Sequence, residues 1–487
     1  MMSGVRDMRR SKSILVTLFF GGLFSQLSFS DEGAKPPPIP QARVAGGAGL
    51  ALDSSLSLDR VRSEPRREEL PMPGKQPGWL KNIILAVLEN HPEIRQYEAD
   101  ARSVDFRRRA AEKQYQPSVR VVSQYGKDHK TLDLQGTQST RQLTPRNLQL
   151  SVTTPLYDSA IGANVKREDA LAIAADWNAI SVKEQYMLRT LESLLELWKS
   201  HRLVELARAN LQAHRRYVSQ VKEIARVDLG RAADLSTAQA RVALAESVMA
   251  NRLGRLELLR SQWQQTTRLH WTVVKDVVGM TSLESIPLPG LANNLDQVVS
   301  MALANSAQLA KVSAEVDAAR RGVDAAKAQF KPSVYTEVRA WRGDNLDGID
   351  AKQDGYYYGL NFDWKLPWNG MRESSVNSAM ETVNSAMNAK EKIELDLTGR
   401  IETEWYNRVA ARAALKSYVA YETSAKKVLE SVQSQFQIGR RSLLDMLNSE
   451  SELFTARSNV VTAEADHLIA SWRLQALQGK IAMEFGL

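Results

Sequence analysis

The sequence predicts a mixed α and membrane-β protein, in which a unit of helix, β-hairpin, long helix and helix is written twice. Three observations predict it. Proline is missing from Leu156 to Ile286 and again from Trp368 to the C-terminus, so both stretches can run as uninterrupted helix. Four short segments alternate apolar and polar residues as strands with one oily and one wet face. Landmarks of the first half recur in the second at a nearly constant offset.

The repeat is read from four landmarks. "ENHPEI" at Glu89 matches "ANSAQL" at Ala304, and "QYQPSV" at Gln114 matches "QFKPSV" at Gln329, both 215 residues later. Pro155 matches Pro367 at 212, and Gly230 matches Gly439 at 209. The first repeat is placed at 79–271 and the second at 295–487, with a linker at 272–294. In each, a helix (about Leu80–Tyr115; Leu295–Phe330) runs into Pro-Ser, which stops it. Strands are expected near 118–126 and 147–156, and near 333–342 and 356–366, with a polar loop inside each hairpin. After them come helices over about Ser159–Arg226 and Met371–Gln437. A glycine turn leads to a last helix in each copy, about Arg231–Trp271 and Ser442–Met483.

Spacing supports the helices. Leu188, Leu191, Leu195 and Trp198, then Val204, Leu211, Val218 and Val221, form a stripe that packs on neighbouring helices. At 1.5 Å per residue, the long helices reach about 100 Å. Two shorter helices end to end can therefore lie along one long helix.

In "GYYYGLNFDWKLPWNG", Tyr356, Tyr358, Leu360, Phe362, Trp364 and Leu366 alternate with Tyr357, Gly359, Asn361, Asp363 and Lys365. Such a strand fits either a soluble sheet lying on a core or a membrane wall with lipid outside and water inside. Its length, about 9–11 residues, suits a tilted membrane strand. Four strands cannot close a membrane barrel, for which about eight are needed, and open edges are not tolerated in lipid. A membrane placement therefore requires several chains to share one barrel.

The remaining segments set the context. Residues 1–30 read as a signal peptide: a basic start, an apolar run from Ile14 to Leu27, then Ser28 and Ser30 before a cut at Asp31. An uncleaved anchor is the alternative, but the run is short for a span. Residues 31–78 hold eight of the 16 prolines and read as a flexible leader. The net charge of +8 falls to about +5 without the first 30 residues and is dispersed, which argues against nucleic-acid binding. With no cysteine there is no disulfide framework and no thiolate metal site, and six scattered histidines suggest no zinc. "DNLDGID" at Asp344–Asp350 lacks the ligand spacing of a calcium loop and reads as a solvated turn. No P-loop, His-Glu-x-x-His or Gly-x-Ser-x-Gly motif is present, so no enzyme, cofactor or metal is expected.

The duplication, "TPLYDSAIG" and "LPWNG" after the second strands, and the turns "VDLGRAADL" and "FQIGRRSLLDML" resemble the TolC-like outer membrane channels of drug efflux and type I secretion. The resemblance spans about Trp79–Met483. It implies a homotrimer with a 12-stranded outer-membrane β-barrel, continued by a long periplasmic α-helical barrel. The implied partners are outer membrane lipid, a periplasmic adaptor (membrane fusion) protein and an inner-membrane ABC or proton-driven transporter. The implied function is a passive exit duct, with type I protein secretion slightly preferred to small-molecule efflux because many efflux channels of the family are lipoproteins. The rival is a periplasmic adaptor or coiled-coil scaffold, which should carry a compact β domain between helical arms.

By motif, the adaptor-docking turns are Leu229, Gly230 and Arg231 with Ile438, Gly439 and Arg440. A glycine there is equally a helix C-cap. The resemblance implies a channel constriction at Asp445 and Asn448, where the family carries two acidic residues. Three converging Asp445 carboxylates would raise one another's pKa, whereas an Asp that merely starts a helix would favour its dipole. Gate links between neighbouring coils fall on Arg441 and Asp234, with Phe436 where an aromatic hydroxyl is expected.

Overall fold

The structure, a computed structural model, describes residues 78–134, 137–227, 232–280, 286, 289–290, 294–345 and 351–487. The signal peptide, the leader up to residue 77, Leu229, Gly230, Arg231, part of the linker and residues 346–350 lie outside them.

Proline at the first turn shapes the entry to the fold. One helix was expected over Leu80–Tyr115, but the chain forms α1 (Trp79–Asn90) and α2 (Pro92–Lys113). Pro92 drives His91 out of the helical region, to φ −75 and ψ 127, and the His91 ring then accepts from the Glu93 N–H. The second copy breaks at the same landmark without proline. Ser306 between α6 (Leu295–Asn305) and α7 (Ala307–Ala328) is extended, and its hydroxyl accepts from the Leu309 N–H. That serine cap competes with helix continuation, a local signal weaker than proline and easy to overlook in the sequence.

The long helices need no such interruption. Helix α3 spans Ser159–Val227 and α8 spans Met371–Gln437; α4 covers Ala232–Thr267 and α9 covers Leu443–Leu477. Two short helices lie in succession along each long one. Glu98 of α2 pairs with Lys183 and Glu246 of α4 with Arg215, at opposite ends of α3. Along α8, Gln329 after α7 bonds Ser375, while Glu452 of α9 accepts from Tyr421. Where α9 ends, Gly479 is left-handed at φ 65 beside Asn305, and a Cβ there would collide with the Asn305 carbonyl. The close approach and the backbone conformation both demand glycine.

The main core sits around the middle of the long helices. It gathers α1, α3, α4 and α9 with a 3₁₀ turn (Trp271–Val274) and the short α5 (Lys275–Val278) and α10 (Ile481–Glu484). Trp198, Trp263 and Trp472 are fully buried there. The Trp198 indole donates to the Met280 carbonyl at 2.9 Å, and Trp472 stacks on Phe485 at 5.5 Å. Arg473 of α9 spans the two repeats, bonding Glu192 of α3 at 2.6 Å and Glu404 of α8 at 3.4 Å.

The strands depart from expectation in three ways. First, the two hairpins, placed in separate copies of the repeat, unite. Strands β1 (Ser118–Tyr125), β4 (Arg146–Asp158), β5 (Ser333–Asp344) and β6 (Lys352–Asp363) form one antiparallel sheet in the order β1-β4-β5-β6. The repeats join through β4 and β5, with Val152 opposite Val338. Second, the polar loop of the first copy is itself a hairpin, β2 (Asp128–Leu134) with β3 (Thr137–Leu143). Its strands, DHKTLDL and TQSTRQL, are mostly polar, with only Leu132 and Leu134 in alternation to announce them. Third, β6 ends at Asp363, paired with Ser333, so Trp364, Lys365 and Leu366 fall outside the ladder. Pro332 precedes Ser333 and offers no N–H to extend the pairing. The Trp364 indole instead donates to the Phe330 carbonyl at 3.1 Å. Pro155, expected near the end of its strand, stays within β4 because a register shift between Pro155 and Tyr157 absorbs it.

Candidate channel wall and closing tip

The register sorts the sheet into two faces. On one, Tyr356, Tyr358, Leu360 and Phe362 of β6 lie opposite Ala340, Val338, Thr336 and Val334 of β5. The rows continue through Leu150 and Val152 of β4 to Val121 and Val119 of β1. This face is open: Tyr356 is 77% and Leu360 67% exposed. Contiguous apolar exposure on this scale marks a surface that another phase or partner covers. The other face is wet. One row reads Arg120, Ser151, Arg339 and Tyr357; the next reads Ser118, Thr153, Glu337 and Gly359. Arg339 is held by both oxygens of Glu337 at 3.1 Å. Strands β1 and β6 are the edges of this four-stranded sheet. Among the described residues no helix is long and apolar enough to cross a membrane.

At the far end of the long helices α3, α4, α8 and α9 converge on a small core of Ala213, Tyr217, Ala238, Val432, Met446 and Leu447. Phe436 packs against it. Helix α8 stops because Gly439 turns left-handed at φ 75, letting the Gly439 N–H reach the Phe436 carbonyl and the Arg440 N–H the Gln435 carbonyl. Nothing lies within 4 Å of a Cβ at Gly439, so its backbone conformation, not crowding, selects glycine. Ile438, Gly439 and Arg440 are exposed at the turn.

Helix α9 opens with a capping box. The Ser442 hydroxyl accepts from the Asp445 N–H at 3.1 Å, while Asp445 Oδ2 accepts from the Ser442 N–H and hydroxyl at 3.2 and 2.9 Å. These hydrogen bonds from Ser442 hold the Asp445 carboxyl below the usual carboxylate range. Within one chain the shift is thus opposite to that expected of converging carboxylates. Asn448 is engaged too, its amide oxygen accepting from Arg241 of α4 at 3.1 Å. The side chain of Arg441 donates to Gln435 of α8 at 2.9 Å. Asp234 lies in the first turn of α4.

Sequence reasoning missed the polar residues that tie these helices together. The buried Tyr217 hydroxyl donates to Glu450 of α9 at 2.7 Å and accepts from Gln433 of α8 at 2.9 Å. Burial and the Glu450 bond push the Tyr217 phenol above its ordinary pKa. His214, edge-on to Tyr217 at 6.2 Å, is buried, and burial lowers its pKa. A His and a Tyr three residues apart, interrupting the apolar stripe between Leu211 and Val221, were the available signal.

A family model described as "Outer membrane efflux protein" matches residues 298–480, within the second copy. The outer membrane protein TolC of Vibrio cholerae is 22% identical over 343 residues, 68% of this chain and 76% of that protein. The alkaline protease secretion protein AprF of Pseudomonas aeruginosa is 23% identical over 345 residues, 68% and 69% of the two chains. The crystal structure of CusC, described as undergoing transmembrane channel formation, superposes with a TM-score of 0.71 at 14% identity. It covers 83% of this chain and 95% of its own.

Proposed function

We propose that this chain is one of the TolC-like outer membrane efflux and secretion channels, and that three copies form an exit duct across the outer membrane and periplasm. The observation that carries the proposal is the sheet: an exposed apolar face, a wet face, and two open edges in each chain. Three such sheets joined edge to edge, β6 of one copy against β1 of the next, make a closed wall of 12 strands. Closure removes the edges that lipid forbids. The alternation of strand directions makes that joint antiparallel, like every pairing within the chain. The adaptor alternative is not favoured, because the strands unite in one open sheet instead of a compact β domain.

The helices carry the duct into the periplasm, and the tip closes it. The exposed Ile438, Gly439 and Arg440, together with the sequence-matched Leu229, Gly230 and Arg231, are the residues assigned to docking a periplasmic adaptor, through which an inner-membrane transporter delivers cargo. At the constriction, threefold symmetry makes a ring of Asp445. Both Ser442 bonds use Oδ2, which leaves Oδ1 to face cations in the lumen. Protein cargo is preferred to small molecules: the chain has no cysteine for lipid attachment, and the AprF likeness favours secretion. The experiment is the unboiled purified protein on an SDS gel. A heat-labile trimer that needs detergent supports the duct; a water-soluble monomer overturns it. Secreted proteins and drug susceptibility of a deletion strain then distinguish the two cargoes.

A further inference from the structure

The wet face of the sheet carries large aromatic side chains, yet two glycines of β6 lie on that same face. Trp341 stands opposite Gly355 in the ladder, and Tyr357 lies two residues before Gly359 on its own strand. A Cβ built on Gly355 would meet Trp341 Cζ2 at 2.6 Å, with Cε2 and Cη2 at 3.0 and 3.1 Å. The two flanking atoms are only slightly further than the nearest, so the glycine sees the face of the indole and not its edge. A Cβ on Gly359 would likewise run into the phenol end of Tyr357, with Cζ at 2.6 Å and Cε1 at 3.2 Å. The Tyr357 hydroxyl then donates to Asn361, further along the strand. Both rings are therefore laid down along the wall, each over a glycine.

Nothing in the backbone requires these glycines. Neither has a positive φ, and both sit within a regular ladder, where glycine costs stability relative to residues that pack. What they supply is room beneath a ring. We propose that Gly355 and Gly359 set the calibre of the duct: by recessing the wall they keep Trp341 and Tyr357 flat and the lumen wide. A side chain at either position lifts the ring off the wall into the passage, and the size limit for cargo falls. This rests on the barrel reading, which makes the wet face the lumen.

The test uses the absence of native cysteine. Asp363, exposed at the helix end of β6 on the wet face, is replaced in Asp363→Cys, and intact cells are treated from outside. The probes are a small methanethiosulfonate and the largest polyethylene-glycol maleimide that still labels Asp363→Cys. Adding Gly355→Val or Gly359→Val is expected to slow the large reagent about tenfold or more, a barrier change of about 1.4 kcal/mol, and to leave the small one unchanged. Trp341→Ala in the Gly355→Val background, and Tyr357→Ala in the Gly359→Val background, should restore access. Trp341→Ala and Tyr357→Ala without the valines need no new side chain to be accommodated. They should leave large-reagent access as it was, because a flat ring does not narrow the passage. Faster entry in those variants, or valine variants that admit the large reagent at the parental rate, would overturn the proposal. Failure of even the small reagent to reach Asp363→Cys on cells, while it labels protein denatured in detergent, would overturn the barrel reading and this proposal with it.

Discussion

Removing one oxygen atom at the tip, in Tyr217→Phe, should loosen the closed duct. The Tyr217 ring stays buried in the small core, so the substitution deletes only the hydroxyl that joins α3 to Glu450 and Gln433. A hydrogen bond to a charged group is worth about 1.5–3 kcal/mol. Glu450 is half-buried and regains some water when released, which brings the loss to about 1–2 kcal/mol per chain. If the three chains of the proposed trimer open together, the closed state loses about 3–6 kcal/mol, at least a hundredfold in the closed-to-open ratio. Planar-bilayer recordings on purified trimers read this as more frequent and longer open events. Glu450→Gln should act in the same direction, and the double variant should add less than the sum of the singles, since both remove one shared bond. Parental gating in Tyr217→Phe trimers, or full additivity in the double variant, would refute a latch between α3 and α9.

Three further outcomes are expected. Tyr358→Arg, on the apolar face at the middle of β6, should assemble poorly, because Arg at mid-bilayer costs about 2–4 kcal/mol; Asp363→Asn on the opposite parity should assemble normally, and trimer yield on unboiled gels compares them. Asp445→Asn should weaken cation preference and relieve block by trivalent cations in bilayers, with the trimer intact, while Arg441→Ser raises conductance. Burial pushes the Glu184 carboxyl up to about 7 from an unfolded value of 4.5, so the folded state holds its proton longer. Its contribution is present below about pH 4.5 and is lost as pH rises through 7, up to about 3 kcal/mol by pH 8. Glu184→Gln should flatten that loss in thermal melts between pH 5 and 8.

Long elements were legible because their signal is summed over many residues. Helix α8, expected over Met371–Gln437, runs over those residues, since no proline intervenes and Gly439 ends it. The strand faces were legible from parity alone, as Leu360 and Phe362 on one side and Asn361 on the other show. Short-range decisions were not. His91 leaves the helix through a single proline, and Ser306 through a single hydroxyl, each one interaction against a helical background. The β2–β3 hairpin was invisible because its strands are mostly polar and only Leu132 and Leu134 alternate within them. At the tip, Asp445 and Asn448 were placed by likeness, but their bonds to Ser442 and Arg241 depend on which helices converge, and no period in the sequence encodes that.

The junction of β4 with β5 has a consequence for biogenesis. Val152 and Val338 face each other across 186 residues of chain, whereas Asp344 of β5 and Lys352 of β6 pair across eight. Closing so much longer a loop costs roughly 3 kcal/mol more in chain entropy, which only the finished sheet repays. Pairing of this range is slow, and it cannot begin until β5 has been delivered to the same compartment as β4. An emerging N-terminal half therefore holds a lone hairpin with no partner strand, too narrow to enter lipid. The order of synthesis itself delays the chain's commitment to a bilayer until both halves have arrived, so no half-built wall is left to breach the membrane.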